Sequence, residues 1–161
     1  MTYGHASGST VAIGSKTVTA TATDNAGLTD TCTFAVVVTD TTAPVVTCGA
    51  QSDTDTSVTI SGTVTAAKQS TSSSGAKVDW SASSAADALN AVVGSIVYTA
   101  DADEDGTAEV VTSGANGTTF PSGSTTVTAT ATDAGYPSAK TGTCQSTVVV
   151  AENVDPVVSC G

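Results

Sequence analysis

The sequence predicts an all-β protein, and three observations lead to that prediction. Serine and threonine make up about a third of the chain, valine is abundant, and leucine occurs only at positions 28 and 89. β-Branched residues suit a pleated, half-buried surface, and the usual helix formers are scarce. Segments that alternate apolar and polar residues are separated by clusters of Gly, Ser, Asp and Pro, which is typical of short strands. The third observation is a long internal repeat.

The repeat can be followed residue by residue. Residues 14–22 read GSKTVTATA and residues 123–131 read GSTTVTATA, so that Thr17 matches Thr126 at an offset of 109. Residues 45–49 read VVTCG and residues 157–161 read VVSCG, and here the offset is 112. A period near 110 residues is much longer than a solenoid repeat, so each unit is predicted to be a small domain of its own.

This spacing divides the chain into three predicted parts. Residues 1–40 form the C-terminal part of one repeat, residues 41–152 form a complete repeat, and residues 153–161 form the first strand of a following repeat. Neither end can bury its apolar face alone. We therefore expect the ends to be completed by adjacent repeats of a longer chain or by subunits that meet head to tail.

The central repeat contains seven predicted strands, which matches an immunoglobulin-like β-sandwich. We place them at Val45–Cys48, Ser57–Ala66, Lys77–Ser81, Ser95–Ala100, Ala108–Thr112, Thr125–Thr132 and Thr143–Val150. Trp80, the only tryptophan, is predicted to fill the core between the sheets. Ser84–Val93 is the one predicted helix, because Ser84 and Asp87 have capping-box spacing. Ala67–Gly75 is predicted to be a polar loop.

Composition excludes several functions. The formal net charge of −11 repels nucleic acid and anionic membranes and favours bound cations. No stretch approaches the roughly 18 apolar residues that a membrane span needs. An activated nucleophile needs a base, and the only histidine, His5, lies near the chain start, so we predict no enzyme and no required cofactor. Residues 1–10 lack a signal-peptide pattern, and we expect any export signal to lie outside this chain.

Several motifs together resemble the HYR (hyalin repeat) domain. The family pattern runs from a proline and an early cysteine, through a tryptophan strand and an Asp/Gly-rich turn, to F-P-x-G-x-T-x-V, an aspartate turn and a cysteine-bearing last strand. The matching elements here are Pro44, Cys48, Trp80, Asp103–Gly106, Phe120–Gly123, Thr126-Val127, Asp133 and Cys144. The chain departs from the pattern in a longer Trp80–Asp103 stretch, in the added Tyr136-Pro137, and in Gln145-Ser146, which replace the aromatic seen at Phe34.

The resemblance implies an extracellular immunoglobulin-like array linked to adhesion and matrix, with no catalytic residues. It also implies a disulfide between Cys48 and Cys144 within one repeat. Cys32 and Cys160 would then pair with cysteines of neighbouring repeats or subunits. A rival scheme, Cys32 with Cys48 and Cys144 with Cys160, has equal spacings of 16 residues and stays open at this point.

Two kinds of modification or ligand site stand out. Asp101, Asp103 and Asp105 lie around Gly106 in a D-x-D-x-D-G run, which suits calcium, although a plain acidic turn would look the same. A second calcium site could use Asp40 with Asp24 or Asp133 at the junction between repeats. Asn116-Gly117-Thr118 is an N-glycosylation sequon.

Two functional hypotheses follow. The first is a structural extracellular repeat protein that forms a rod, surface fibre or filament by end-to-end stacking, with identical or similar repeats as partners in a homopolymer or a long multi-repeat chain. The second is an adhesion module that recognises a glycan or receptor, with calcium as a helper. The strands predict good stacking and no loop shows a convergent aromatic or charged cluster that would grip a glycan or receptor, which favours the first.

Overall fold

A computed structural model describes residues 1–49, 64, 66–70, 72, 74–89, 92–114, 117–153 and 158 of the 161-residue chain. These residues form strands and turns and no helix, so the all-β prediction is confirmed. In chain order the strands are β1 (Thr2–Tyr3), β2 (Gly14–Thr23), β3 (Thr29–Val38), β4 (Val45–Thr47), β5 (Ala66–Gln69), β6 (Ala76–Lys77), β7 (Ser84–Ala86), β8 (Val92–Ala100), β9 (Glu109–Val110), β10 (Thr119–Phe120), β11 (Gly123–Asp133) and β12 (Thr141–Ala151).

The strands form two larger sheets and two short ribbons. Strands β1, β2 and β3 make an antiparallel sheet in that order. The second sheet has the order β5-β12-β11-β8-β9, in which only the β12–β5 pair is parallel. The ribbons β4–β7 and β6–β10 are antiparallel pairs. The hydrophobic core lies between the five-stranded sheet and two other segments, one with Val78 and Trp80 after β6 and one with Phe120 in β10.

The hairpin β11–β12 supplies the inner face of the larger sheet. Its strands alternate strictly: Val127, Ala129 and Ala131 are buried, while the threonines between them are only partly buried. On β12, Val148 and Val150 continue the same buried face. The period of two and the β-branched composition explain why this segment forms strands with one apolar face.

Trp80 fills the centre of the core. Its ring meets the rings of Tyr98 and Phe120 edge to face, with centroids 5.8 Å and 5.9 Å away. Ser113 fixes its backbone, because the Ser113 hydroxyl accepts the Trp80 N–H at 2.8 Å and donates to the Trp80 carbonyl oxygen at 3.1 Å. The tryptophan is therefore a core residue, as the sequence predicted, and its aromatic contacts add to the free energy of burial.

The three-stranded sheet repeats the centre of the five-stranded one in the same register. Every pair of β2 and β3 has its counterpart in β11 and β12; Ala20 faces Cys32, and Ala129 faces Cys144. Tyr3 of β1 pairs with Ala20 as Tyr98 of β8 pairs with Ala129. The internal repeat of the sequence is thus also a repeat of strand pairing.

Two sequence predictions are wrong in this region. The predicted helix Ser84–Val93 is absent: Ser84–Ala86 is strand β7, which pairs with β4, and the Asp87 carboxylate accepts the Leu89 N–H at 2.7 Å. A side chain that captures a backbone N–H two residues ahead favours a turn over a helix.

The polar loop predicted at Ala67–Gly75 is wrong at its start. Ala67–Gln69 belong to β5, which pairs in parallel with β12, and Ala67 is fully buried. Ser70 is also buried, and its N–H donates to the carbonyl oxygen of Ala151 at 2.8 Å. The prediction was wrong here because the serine-rich sequence that follows, residues 70–74, made the whole segment look like a polar loop. Most of the strand predicted at Ser57–Ala66 lies outside the described residues.

Phe120→Ala should destabilise the core strongly. The side chain is fully buried, so its loss leaves a cavity and is expected to cost about 3–5 kcal/mol of unfolding free energy. The control is Phe34→Ala, which removes the only other phenylalanine, one that is 49% exposed, and should change stability by less than about 1 kcal/mol. Urea denaturation followed by Trp80 fluorescence measures both variants, and equal losses would contradict this account of the core.

Candidate functional site

An open groove lies on the apolar face of the three-stranded sheet. Tyr3, Val18, Phe34 and Val36 line it, and the segment around His5 forms one wall. Its volume is about 340 Å³, enough for a large aromatic side chain. Phe34 remains half exposed within it. We call this feature the open groove.

The open groove has the lining of the tryptophan pocket in the other sheet. Around Trp80 lie Tyr98, Val127, Ser146 and Val148. By strand register these residues correspond in turn to Tyr3, Val18, Phe34 and Val36 of the open groove. The pocket of the larger sheet contains Trp80. The open groove has the larger Phe34 at the position where that pocket has Ser146.

The cysteines differ in their bonding state: two form a disulfide, one is a free thiol and one lies outside the described residues. Cys48 and Cys144 form a disulfide with a Cα–Cα distance of 5.7 Å, as the HYR resemblance implied, so the rival pairing of Cys32 with Cys48 and Cys144 with Cys160 is wrong. Cys32 is an exposed free thiol, and it occupies on β3 the register position that Cys144 occupies on β12. Cys160 lies outside the described residues.

The acidic turn that follows β8 brings together the carboxylates predicted to bind calcium. Oxygens of Asp101, Asp103, Asp105 and Glu109 lie within 4.8 Å of one another. Three of these carboxylates also hold the turn itself: Asp101 accepts the Gly106 N–H at 3.0 Å, Asp105 accepts the N–H of Thr107, and Glu109 accepts the N–H of Ala102 at 3.3 Å. Gly106 has φ +90°, which glycine adopts without strain. The geometry fits both an acidic turn and a cation site, and calcium here stays a prediction.

A second carboxylate cluster lies where the β3–β4 connection meets the β11–β12 turn. Oxygens of Asp40, Asp87 and Asp133 lie within 4.8 Å of one another, and Asp40 and Asp133 are almost completely buried. Sequence reasoning paired Asp40 with Asp133 but missed Asp87, because that residue was assigned to a helix. Asp24 lies outside this cluster: it is exposed and accepts the Ala26 N–H in its own turn.

Two other predicted features have different outcomes. Asn116 of the sequon lies outside the described residues, so glycosylation stays a prediction. His5 lies at the wall of the open groove, where the Ser9 hydroxyl donates to the Ala6 carbonyl oxygen at 2.7 Å. The Ser9 hydroxyl is thus engaged by the backbone of its own turn.

These features define a class of protein. The described residues form an all-β fold with an aromatic core, and two of its hairpins share the same register. The Cys48–Cys144 disulfide links the residue after β4 to β12. This combination is typical of immunoglobulin-like repeat modules. No helix in the part of the chain that the structure describes has the length and apolar character to cross a bilayer.

Comparison with known families found a match in the first part of the chain. Residues 1–38 match the model of the HYR domain, and this confirms the HYR resemblance in that segment. HYR domains are extracellular immunoglobulin-like repeats and are not known as enzymes. The disulfide fits that setting. No curated protein matched the chain.

Removing the Cys48–Cys144 disulfide should destabilise the module by about 2–5 kcal/mol, because the bond closes a loop between residues 96 positions apart. The paired replacement Cys48→Ser with Cys144→Ser tests this in thermal unfolding. Cys32→Ser is the matched control and should leave the stability of the monomer unchanged. If the paired variant unfolds at the temperature of the unaltered protein, the disulfide has no stabilising role.

Proposed function

We propose that this chain is a structural repeat module of an extracellular array, in which immunoglobulin-like units stack end to end into a rod, fibre or filament. In this account residues 1–40, 41–152 and 153–161 belong to three successive repeats. The single observation that carries the proposal is that the open groove repeats the lining of the Trp80 pocket without a tryptophan in it.

The occupant that fits the open groove is a strand of a neighbouring repeat. Apolar side chains on one face of a sheet gain about 25 cal/mol for each Å² that a second layer removes from water. In the larger sheet that layer is the Trp80 segment, and equivalent residues line the smaller sheet. An aromatic-bearing strand from a similar repeat therefore matches the open groove in shape and chemistry.

Cys32 supports the same partner. Its counterpart Cys144 is bonded to Cys48, which follows the short strand β4. A cysteine at the β4 position of a neighbouring repeat would meet Cys32 from the same direction. The VVTCG and VVSCG segments show that this chain carries such a cysteine twice, at Cys48 and Cys160.

An N-terminal extension of the chain tests the proposal directly. A second copy of residues 41–97 would replace Met1-Thr2, since Tyr3 corresponds to Tyr98. We expect the added copy of Cys48 to bond Cys32 and the amides of β2 and β3 to exchange more slowly with solvent. Thiol titration and hydrogen exchange measure the two effects.

The control for this extension carries Trp80→Ser in the added copy alone. It should pair β2 and β3 less stably, because the open groove then receives no aromatic ring. If the extension leaves Cys32 reactive and β2–β3 exchange unchanged, the open groove does not receive a neighbouring repeat.

A separate experiment distinguishes subunits from one long chain. If copies join head to tail, concentrated protein should give a ladder on non-reducing gels, and both Cys32→Ser and Cys160→Ser should abolish it. Reduction should collapse the ladder to monomer. A single band in the unaltered, oxidised protein would exclude disulfide-linked copies and leave contacts within a longer polypeptide as the form of the array.

A further inference from the structure

The cluster of Asp40, Asp87 and Asp133 unites three separate segments of the chain. Asp40 lies in the connection between β3 and β4, Asp87 in the turn after β7, and Asp133 at the end of β11. Asp133 is the next residue on the buried face after Val127, Ala129 and Ala131, so the strand's own alternation directs it inward.

Within the cluster, Asp133 has one carboxylate oxygen without a hydrogen-bond partner. Its side chain is 1% exposed. One oxygen, Oδ1, accepts the N–H groups of Gly135 and Lys140 at 2.8 Å and 2.7 Å, but the buried Oδ2 has no hydrogen-bond partner. Burying a carboxylate oxygen without a partner is costly, so such an oxygen points to a ligand that would satisfy it.

A glycine lies against the other carboxylate oxygen of Asp133, Oδ1. A Cβ atom on Gly135 would lie 2.8 Å from Asp133 Oδ1, 3.3 Å from Asp40 Oδ2 and 3.1 Å from the Ser138 carbonyl oxygen. Glycine at this position therefore leaves room among three oxygen atoms. Asp40 is itself fixed, since its N–H donates to the Tyr136 carbonyl oxygen at 2.9 Å.

Charge counting indicates what could bind. The three carboxylates carry three negative charges, and Lys140, whose ammonium donates to the Asp40 carbonyl oxygen, supplies one positive charge. A divalent cation would bring the local charge to zero. The donors are all oxygen atoms, which hard cations such as Ca²⁺ prefer, and neither sulfur nor imidazole is among them.

We propose that Asp40, Asp87 and Asp133 bind one Ca²⁺ ion, with the Ser138 carbonyl oxygen as a further ligand. The ion joins the β3–β4 connection to two turns of the following unit and so fixes the angle at which successive units meet. Ca²⁺ binding at this site does not depend on the proposed array, because it uses residues of a single chain; only its effect on the angle between units rests on the proposed function.

Calcium titration of the whole chain tests the site. Asp103→Asn and Asp105→Asn are introduced first, so that the acidic turn after β8 does not contribute. In this background we expect isothermal titration calorimetry to show one bound Ca²⁺ and the melting temperature to rise with CaCl2. Adding Asp133→Asn should lower the Ca²⁺ affinity by about tenfold or more, because one charged ligand is lost.

Asp24→Asn is the matched control. Asp24 corresponds to Asp133 in the repeat and accepts N–H groups in its own turn in the same way, but it is exposed and outside the cluster. It should leave the calorimetric titration unchanged. Asp87→Asn is a second test should Asp133→Asn fail to fold, because an asparagine can still accept the Leu89 N–H.

Two results would overturn the proposal. One is the absence of Ca²⁺ binding in the starting background up to about 1 mM, the weak end of the range for extracellular calcium modules. The other is a folded Asp133→Asn or Asp87→Asn variant that binds Ca²⁺ as tightly as the Asp24→Asn control. Neither result bears on the N-terminal extension test, so the array and the calcium site fail separately.

Discussion

The in-register pairing of β11 with β12 is the constraint on which the rest of the structure depends. Ten consecutive residue pairs hold this hairpin, and its strict alternation places a row of small apolar side chains on one face. Because one slip in register would turn that row to solvent, the pairing also decides which residues form the core. β8 adds to one edge and β5 to the other. The Trp80 segment then packs on the face so produced, and the disulfide at Cys144 fastens β12 to the start of the module.

The same strand pairing occurs in two hairpins, and only one of them lies under Trp80. Comparing the two distinguishes the effect of strand pairing from the effect of the layer that packs on it. β2 and β3 reproduce the pairing of β11 and β12, so local sequence is sufficient for strand pairing. Burial differs, however: Phe34 is half exposed, whereas its counterpart Ser146 lies beside Trp80. The hairpin beneath Trp80 carries Ser146, and the hairpin at the open groove carries the half-exposed Phe34, although Val18 and Ala20 of its β2 strand are already buried. A neighbouring strand that covers β2 and β3 would therefore meet Phe34 at the position where the Trp80 segment meets Ser146.

Sequence reasoning recovered the strands that have strong alternation and missed the features that depend on contacts between distant segments. The predicted strand Thr125–Thr132 lies within β11, because period-two alternation is a local signal. The capping-box spacing of Ser84 and Asp87 is also local, but pairing of β7 with β4 overrides it. Asp133 was recognised as a turn residue from its motif. Its meeting with Asp87 could not be predicted, since no local pattern brings residues so far apart in the chain together.

An inward-facing aspartate at the end of an apolar strand face is costly unless something offsets its charge. Asp24 shows the cheaper arrangement, in which the same turn residue stays exposed and water solvates its free oxygen. Asp133 differs because the β3–β4 connection folds over it and brings Asp40, whose carbonyl oxygen accepts a hydrogen bond from the Lys140 ammonium of the β11–β12 turn. The burial of Asp133 is thus a consequence of how the β3–β4 connection, the proposed junction between units, folds over it. Whatever neutralises these carboxylates therefore acts on that junction, and a divalent cation would couple the geometry of an array to the ionic composition of its surroundings.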